Sequence, residues 1–229
     1  MLLNKPGKFK DLDIPISTGW LIGSCMEARG KQDLWLKQKP EVIRLLKEQA
    51  IIQSVESSNR IEGVTIPPSR LRPIVLGKSR PRDRSEEELA GYRKALNWIF
   101  SRKREVTIRP ALIQKLHAMC QGGFSGDAGE WKSKNNEIIE IQPTGERIVR
   151  FIPASAEDIP QFTHRLCQNY RDLSEIERLP PLVLISDFVF DLLCIHPFRD
   201  GNGRVSQLVT TLLLQMHGFE VSRYISIER

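Results

Sequence analysis

Residues 181–216 read PLVLISDFVFDLLCIHPFRDGNGRVSQLVTTLLLQM. Two apolar segments, Pro181 to Ile195 and Val205 to Met216, flank the polar turn His196-Pro197-Phe198-Arg199-Asp200-Gly201-Asn202-Gly203-Arg204. Each segment is long enough for a helix and apolar enough to demand burial, so the turn is clamped between two core helices. A reactive loop on a rigid scaffold is the usual way a protein positions function.

Within the turn, Gly201 and Gly203 lack a Cβ, so the backbone can take positive φ and come close to a ligand. The first N–H groups of the following helix have no intrahelical acceptor and carry the positive end of its dipole, which makes an anion site suited to phosphate. Around it, Asp200 offers a hard carboxylate oxygen for Mg²⁺, Asn202 an amide, Arg204 a planar cation, and His196 a base titrating near neutrality. Phe198 is assigned to the core and Arg199 to solvent.

This run resembles the signature of the Fic (filamentation induced by cyclic AMP) family, His-x-Phe-x-[Asp/Glu]-Gly-Asn-Gly-Arg-x-x-Arg. It matches every fixed position except the last, where Gln207 stands in place of Arg. The resemblance implies an all-α Fic-type domain with a β-hairpin flap, and protein adenylyltransferase activity. AMP would pass from ATP to a Ser, Thr or Tyr hydroxyl of a target protein or of the chain itself.

By the same resemblance His196 is the catalytic base, and Asp200 holds Mg²⁺ on the phosphates. Gly201, Asn202 and Gly203 steady phosphate charge, and Arg204 neutralises the leaving pyrophosphate. Gly203 favours AMP transfer, since members resembling a phosphotransferase toxin carry Lys there. Gln207 faces the same side of the helix as Arg204 but brings no charge. ATP would then lose a γ-phosphate contact of roughly 1.5–3 kcal/mol. A nucleotide- or partner-binding regulatory module with weak or lost transfer is therefore the competing reading.

Upstream, Pro40 opens a helix with an apolar stripe from Val42 to Val55 that ends near Gly63. Its end, Ser58-Asn59-Arg60-Ile61-Glu62-Gly63, resembles the family's inhibitory motif, [Ser/Thr]-x-x-x-Glu-[Gly/Asn], and its place before the signature resembles the class with an N-terminal inhibitory helix. In that motif the Glu pairs with the final signature Arg, so Gln207 would deprive Glu62 of its partner and leave at best an amide hydrogen bond. The same six residues also fit a helix that ends in a solvated Glu and a glycine cap.

Arg70 to Arg84 form a basic connector without interleaved aromatics, which favours a solvated linker over a nucleic-acid contact. Ser85-Glu86-Glu87-Glu88 supplies an N-cap and an acidic first turn. A further helix from Pro110 carries His117, which has no ligand partner at i+4 and is read as structural or surface.

From Gly129 to Pro153 the period changes to that of a hairpin around Pro143-Thr144-Gly145-Glu146. Its start resembles the family's flap, Gly-x-Tyr-Arg-x-x-x-Asn-x-Ile, with Trp131 and Lys132 replacing Tyr and Arg, and with Asn136 and Ile138 in place. A flap of this kind would hold the target segment as an added strand; a hairpin that merely covers the core is the alternative.

Residues 1–35 alternate Pro, Gly and short apolar pieces and read as an extended arm, leaving 36–229 as the domain, with the inhibitory helix at about 40–63, the flap at about 129–153 and the signature loop at 196–207. The composition, 40% apolar and 27% charged over 229 residues, is that of an ordinary globular protein, and the net charge of +6 suits an anionic ligand. The four cysteines are widely spaced, and Cys167 and Cys194, in apolar helical contexts, read as reduced core thiols. No leader is recognisable after Met1 and no apolar run is long enough to span a bilayer, so a cytoplasmic protein without membrane contact is expected. Self-association stays open, and nucleic acid would enter only through a C-terminal region beyond the chain.

Overall fold

The computed structural model describes residues 13–37, 40–102, 106–122, 126–175 and 179–228, apart from the side chain of residue 35. In chain order the elements are α1 (Ile16–Leu36), α2 (Pro40–Ile61), α3 (Pro68–Val75), α4 (Arg84–Ser101), α5 (Pro110–Gln121), β1 (Ile138–Ile141), β2 (Arg147–Phe151), α6 (Ile159–Ser174), α7 (Pro181–Ile195) and α8 (Asn202–Met216), followed by a 3₁₀ turn at Glu220–Arg223. The all-α class with one hairpin is what the chain forms.

Helix α8 is the centre of the core, and α2, α4, α5 and α7 pack around it. Val205, Leu208, Val209, Leu212 and Leu213 on α8 are no more than 2% exposed. On α7 the stripe Leu184, Ile185, Phe188, Leu192 and Ile195 is buried as fully. Each such side chain contributes about 1.5–3 kcal/mol by leaving water. The loop from His196 to Gly201 is thus fixed at both ends by the best-packed helices of the protein.

The described part of the N-terminal arm is helical from residue 16, not extended. Residues 16–36 form α1, which runs through the expected boundary at residue 35, and residues 1–12 lie outside the described part. Gly19, Gly23 and Gly30 look like breakers, but each costs only about 1 kcal/mol inside a helix. No proline interrupts residues 16–36. Helix α1 has no buried stripe, and Trp20 is 80% exposed. Polar contacts hold it instead: Arg29 donates to the His217 carbonyl at 3.0 Å, and Gln32 donates to the Gly218 carbonyl while accepting from Glu220 N–H at 2.9 Å. Two of these cap the carbonyl end of α8.

Two further details differ from the sequence reading. The apolar stripe of α2 is buried only from Ala50 onward, with Val42, Leu45 and Leu46 exposed. The N-cap of α4 is Asp83, whose carboxylate accepts from Glu86 N–H at 2.9 Å, rather than Ser85.

Strands β1 and β2 pair antiparallel, Ile139 opposite Val149 and Ile141 opposite Arg147, with an irregularity at Ile138/Ile139. The turn closes through Gly145 N–H on the Gln142 carbonyl at 2.8 Å, with Gly145 at φ +85°. Ile141, Val149, Phe151 and Ile152 remain exposed on this ribbon. All four cysteines are free, and burial pushes the Cys120 and Cys167 thiols up to about 12. Among the described residues no helix is long and apolar enough to cross a membrane.

Candidate active site

His196 ends α7. Its N–H still reaches the Leu192 carbonyl at 3.0 Å, but its backbone is left-handed, at φ +52° and ψ +61°. Among the described residues it is the one non-glycine position with positive φ. Such a conformation costs about 1–3 kcal/mol and persists where surrounding structure enforces it. Here Pro197 stops the helix, and its carbonyl accepts from Lys132 N–H at 2.9 Å, which ties the base of the hairpin to the loop.

The loop braces itself through Asn202. Its Oδ1 accepts from Phe198 N–H at 2.9 Å and its Nδ2 donates to the Phe198 carbonyl at 2.8 Å. That amide is therefore engaged with the backbone, where a direct phosphate contact was expected. Phe198 is fully buried, stacked on the His117 ring at 3.8 Å and 9°, with Trp131 tilted against it at 5.0 Å. Trp131 packs inward on the loop, while Lys132 Nζ donates to Asn136 at 2.7 Å, and Ile138 is 37% exposed at the start of β1.

His117 is a site residue that the sequence reading missed. It is 1% exposed; Nε2 lies 3.1 Å from the Asp200 carbonyl and Nδ1 accepts from Gly129 N–H at 2.9 Å. These partners require the neutral tautomer with hydrogen on Nε2. Burial holds its pKa below the ordinary histidine value. One ring thus joins α5, the signature loop and the entrance to the hairpin. Its sequence signal is its place on the apolar stripe of Ile113, Leu116 and Cys120.

Arg204 is 1% exposed, with Nη1 on Glu88 Oε2 at 2.6 Å and Nη2 on Gln121 at 3.0 Å. Expected on pyrophosphate, it is occupied with Glu88. The other Glu88 oxygen takes Arg84 Nε at 2.7 Å, and Arg84 Nη2 reaches Asp200 Oδ2 at 2.7 Å. Asp200 also accepts from Gly201 N–H at 2.7 Å. Burial works against its carboxylate, but Arg204, Gly201, Gln121 and Arg84 outweigh it and hold the pKa below the ordinary value.

Gly201 is the N-cap of α8 at φ +77°, and a Cβ there would meet Gln121 Oε1 at 2.9 Å. At Gly203 a Cβ would fall on Glu62 Oε1, well inside contact distance. The Glu62 carboxylate, just beyond α2, therefore lies against the first turn of α8, where N–H groups lack intrahelical acceptors. Burial raises its pKa, reinforced by Asp200 and Glu88 and opposed by Arg204. Gln207 meets Ser58 instead, whose hydroxyl donates to its side-chain oxygen. Gly63, at φ +77°, follows Glu62 in the left-handed conformation.

Burial, then the positive charge of Lys132, lowers the His196 pKa; the Leu193 carbonyl and Asp200 oppose them. The imidazole is neutral at pH 7 and able to accept a proton. Its Nδ1 is buried, so Nε2 is the nitrogen left to meet a substrate. Among the described residues no group of three or more His, Cys, Asp or Glu could enclose a metal. Asp200 alone suits Mg²⁺, which commonly binds through one or two carboxylates, substrate phosphates and water. The Glu62 carboxyl group lies beside the first turn of α8 at Gly203.

Residues 107–214 match the sequence model of the Fic/DOC family. That stretch is similar to a Fic/DOC domain. Two proteins named protein adenylyltransferase Fic, from Drosophila erecta and Nematostella vectensis, are each 27% identical over 184 residues, covering 77% of this chain. The chain spans 34% and 40% of their respective lengths. The fold of a Fic domain containing signaling protein from Bacteroides thetaiotaomicron superposes with a TM-score of 0.72 at 24% identity, covering 86% of this chain and 73% of that one. Fic-1 from C. elegans gives 0.68 at 20% identity, with 95% and 65% covered.

Glu88 and Gln121 also escaped the sequence reading. The signal for Glu88 is its position on the same face as Tyr92, Ala95 and Ile99, since an acid on an apolar stripe needs a buried cation. Gln121 lies one turn after His117 on α5.

Proposed function

We propose that this Fic/DOC domain is a protein adenylyltransferase restrained by Glu62. The observation that carries the reading is a neutral histidine in an enforced left-handed cap, next to a helix N-terminus with the Glu62 side chain lying against it. His196 Nε2 takes the proton of a Ser, Thr or Tyr hydroxyl as that oxygen bonds to the α-phosphorus of ATP. The bond to the β-phosphate oxygen breaks and pyrophosphate leaves. Mg²⁺ held by Asp200 would neutralise phosphate charge. The N–H groups opening α8 receive phosphate oxygens, Asn202 keeps their geometry, and Arg204 keeps Glu88 neutralised beneath them. The flap, pinned by Lys132, holds the target segment as an added strand.

Glu62 restrains this reaction by occupying the phosphate cradle itself. A second reading, a nucleotide- or partner-binding module with little transfer, draws on the same contacts: Gln207 is uncharged and engaged with Ser58, and Arg204 is consumed by Glu88. Incubation with α-labelled ATP and Mg²⁺ separates the two. Adenylyl transfer predicts label on protein that rises in Glu62→Gly and vanishes in Glu62→Gly/His196→Ala. Absence of His196-dependent label, with ATP still bound, leaves the binding module.

A further inference from the structure

The triphosphate needs cations, and the two arginines of the family pattern are not at hand. Position 207 is Gln, and its oxygen is taken by Ser58. The next arginine along the chain, Arg223, is paired with Glu220 at 2.8 Å. Arg204 is 1% exposed and bonded to Glu88 and Gln121, so its guanidinium cannot turn outward without abandoning a buried carboxylate. Lys132 serves the other side of the site, where its Nζ bonds Asn136 beside the flap.

Arg84 has the properties that are lacking. It opens α4, is half exposed, and sits at the mouth of the loop with Nη2 on Asp200 Oδ2. Its Nε is held by Glu88, itself 2% exposed and fixed by Arg204. One buried carboxylate therefore anchors both guanidinium groups, the inner one through Oε2 and the outer one through Oε1. The anchor holds a single edge of the Arg84 fork and leaves the rest of its five donors for a ligand.

We infer that Arg84 is a triphosphate-binding residue of this chain, supplying from α4 the cation that position 207 lacks. This rests on the adenylyltransferase reading above. Arg84, Arg204, Glu88 and Asp200 form a neutral quartet while the carboxylate of Asp200 is paired with Arg84. Mg²⁺ would bind a carboxylate and the substrate phosphates together. A phosphate oxygen sharing an ion with Asp200 thus comes within reach of a guanidinium already 2.7 Å from that carboxylate. With Asp200 engaged by the ion, Arg84 would be released from it and its donors would be free for the phosphates, with Glu88 still the anchor. Gly203 and the α8 N-terminus hold one side of the triphosphate, and Arg84 the other.

The test is calorimetric titration of MgATP, MgADP and AMP into the Glu62→Gly protein and into Glu62→Gly carrying Arg84→Ala, Arg84→Gln or Arg84→Lys, with thermal melts to show that each is folded. Loss of a charge-assisted hydrogen bond corresponds to about 10- to 100-fold in affinity. That loss is expected for MgATP and MgADP with Ala and Gln, a smaller one with Lys, and none for AMP, which lacks the outer phosphates. MgATP affinity within twofold of the parent in folded Arg84→Gln protein overturns the inference, as does an equal loss for AMP. Failure of the Glu62→Gly parent to bind MgATP at all overturns the adenylyltransferase reading and this inference together.

Discussion

Replacing Glu88 by alanine removes the carboxylate that holds Arg204 at 2.6 Å, and the consequence can be worked out from the contacts. Arg204 is 1% exposed and cannot find water in place. Its remaining partners are Gln121 at 3.0 Å, which is neutral, and Asp200 at 3.8 Å, which also serves Arg84. Removing one member of a buried ion pair costs about 3–5 kcal/mol, because the other charge stays buried without compensation. In a domain of this size that lowers the melting temperature by roughly 6–20 °C. Glu88→Gln keeps a hydrogen-bond acceptor and lies between the two, whereas Glu88→Met/Arg204→Met removes both charges and recovers much of the loss. Thermal melts followed by circular dichroism, with urea titrations for the free energies, measure all three. A Glu88→Ala protein melting within about 2 °C of wild type would mean that Arg204 is not held as described, and a double variant no better than the single one would exclude uncompensated charge as the cause.

His117→Gln should leave nucleotide affinity nearly unchanged but lower adenylyl transfer by about 10-fold or more, as expected when a positioning contact is lost; hydrogen exchange at Gly129 and Lys132 should rise, and unchanged exchange would refute the coupling of flap to loop. Acidification should destabilise the fold. His117, His196 and His217 all have pKa values lowered by burial, so their neutral forms contribute fully above about pH 6.5 and lose that contribution as pH falls through the folded-state values. Glu62, with a raised pKa, works in the opposite direction, so the urea midpoint should be followed from pH 7.5 to 5.5 in Glu62→Gly; a midpoint that rises on acidification contradicts the assignment. Gly203→Ala should abolish ATP binding even when Glu62 is Gly, because the added methyl enters the space that the carboxylate now fills; retained affinity would place the phosphates elsewhere.

The two helices around the signature loop were legible because Pro181–Ile195 and Val205–Met216 are predominantly apolar, and the hairpin because its period changes between Gly129 and Pro153. The loop's residue types pointed to phosphate, but not to how they are employed. Asn202 and Arg204 read as ligand contacts, yet both are turned to the protein's interior, a fact decided by Phe198 and Glu88, which no local pattern connects to them. His117 was passed over because a lone histidine without a metal-ligand spacing carries no local signal, although the apolar face of α5 marked it as buried. Helix α1 was missed for the converse reason. It is held by Arg29 and Gln32 on the end of α8 and not by an apolar stripe, so periodicity had nothing to find.

The hydrogen bond from Lys132 N–H to the Pro197 carbonyl makes the foot of the hairpin and the catalytic loop one ruler. Side chains alternate faces along a strand, two residues advancing it by roughly 7 Å. On the adenylyltransferase reading proposed above, a segment laid along β1 or β2 would offer His196 a hydroxyl in one parity only. Sliding by one residue turns that hydroxyl to the opposite face, and sliding by two moves it beyond proton-transfer distance. If the proposed transfer takes place, selection of the modified residue becomes a matter of counting from the anchor point, with no need for a pocket that reads the hydroxyl's neighbours.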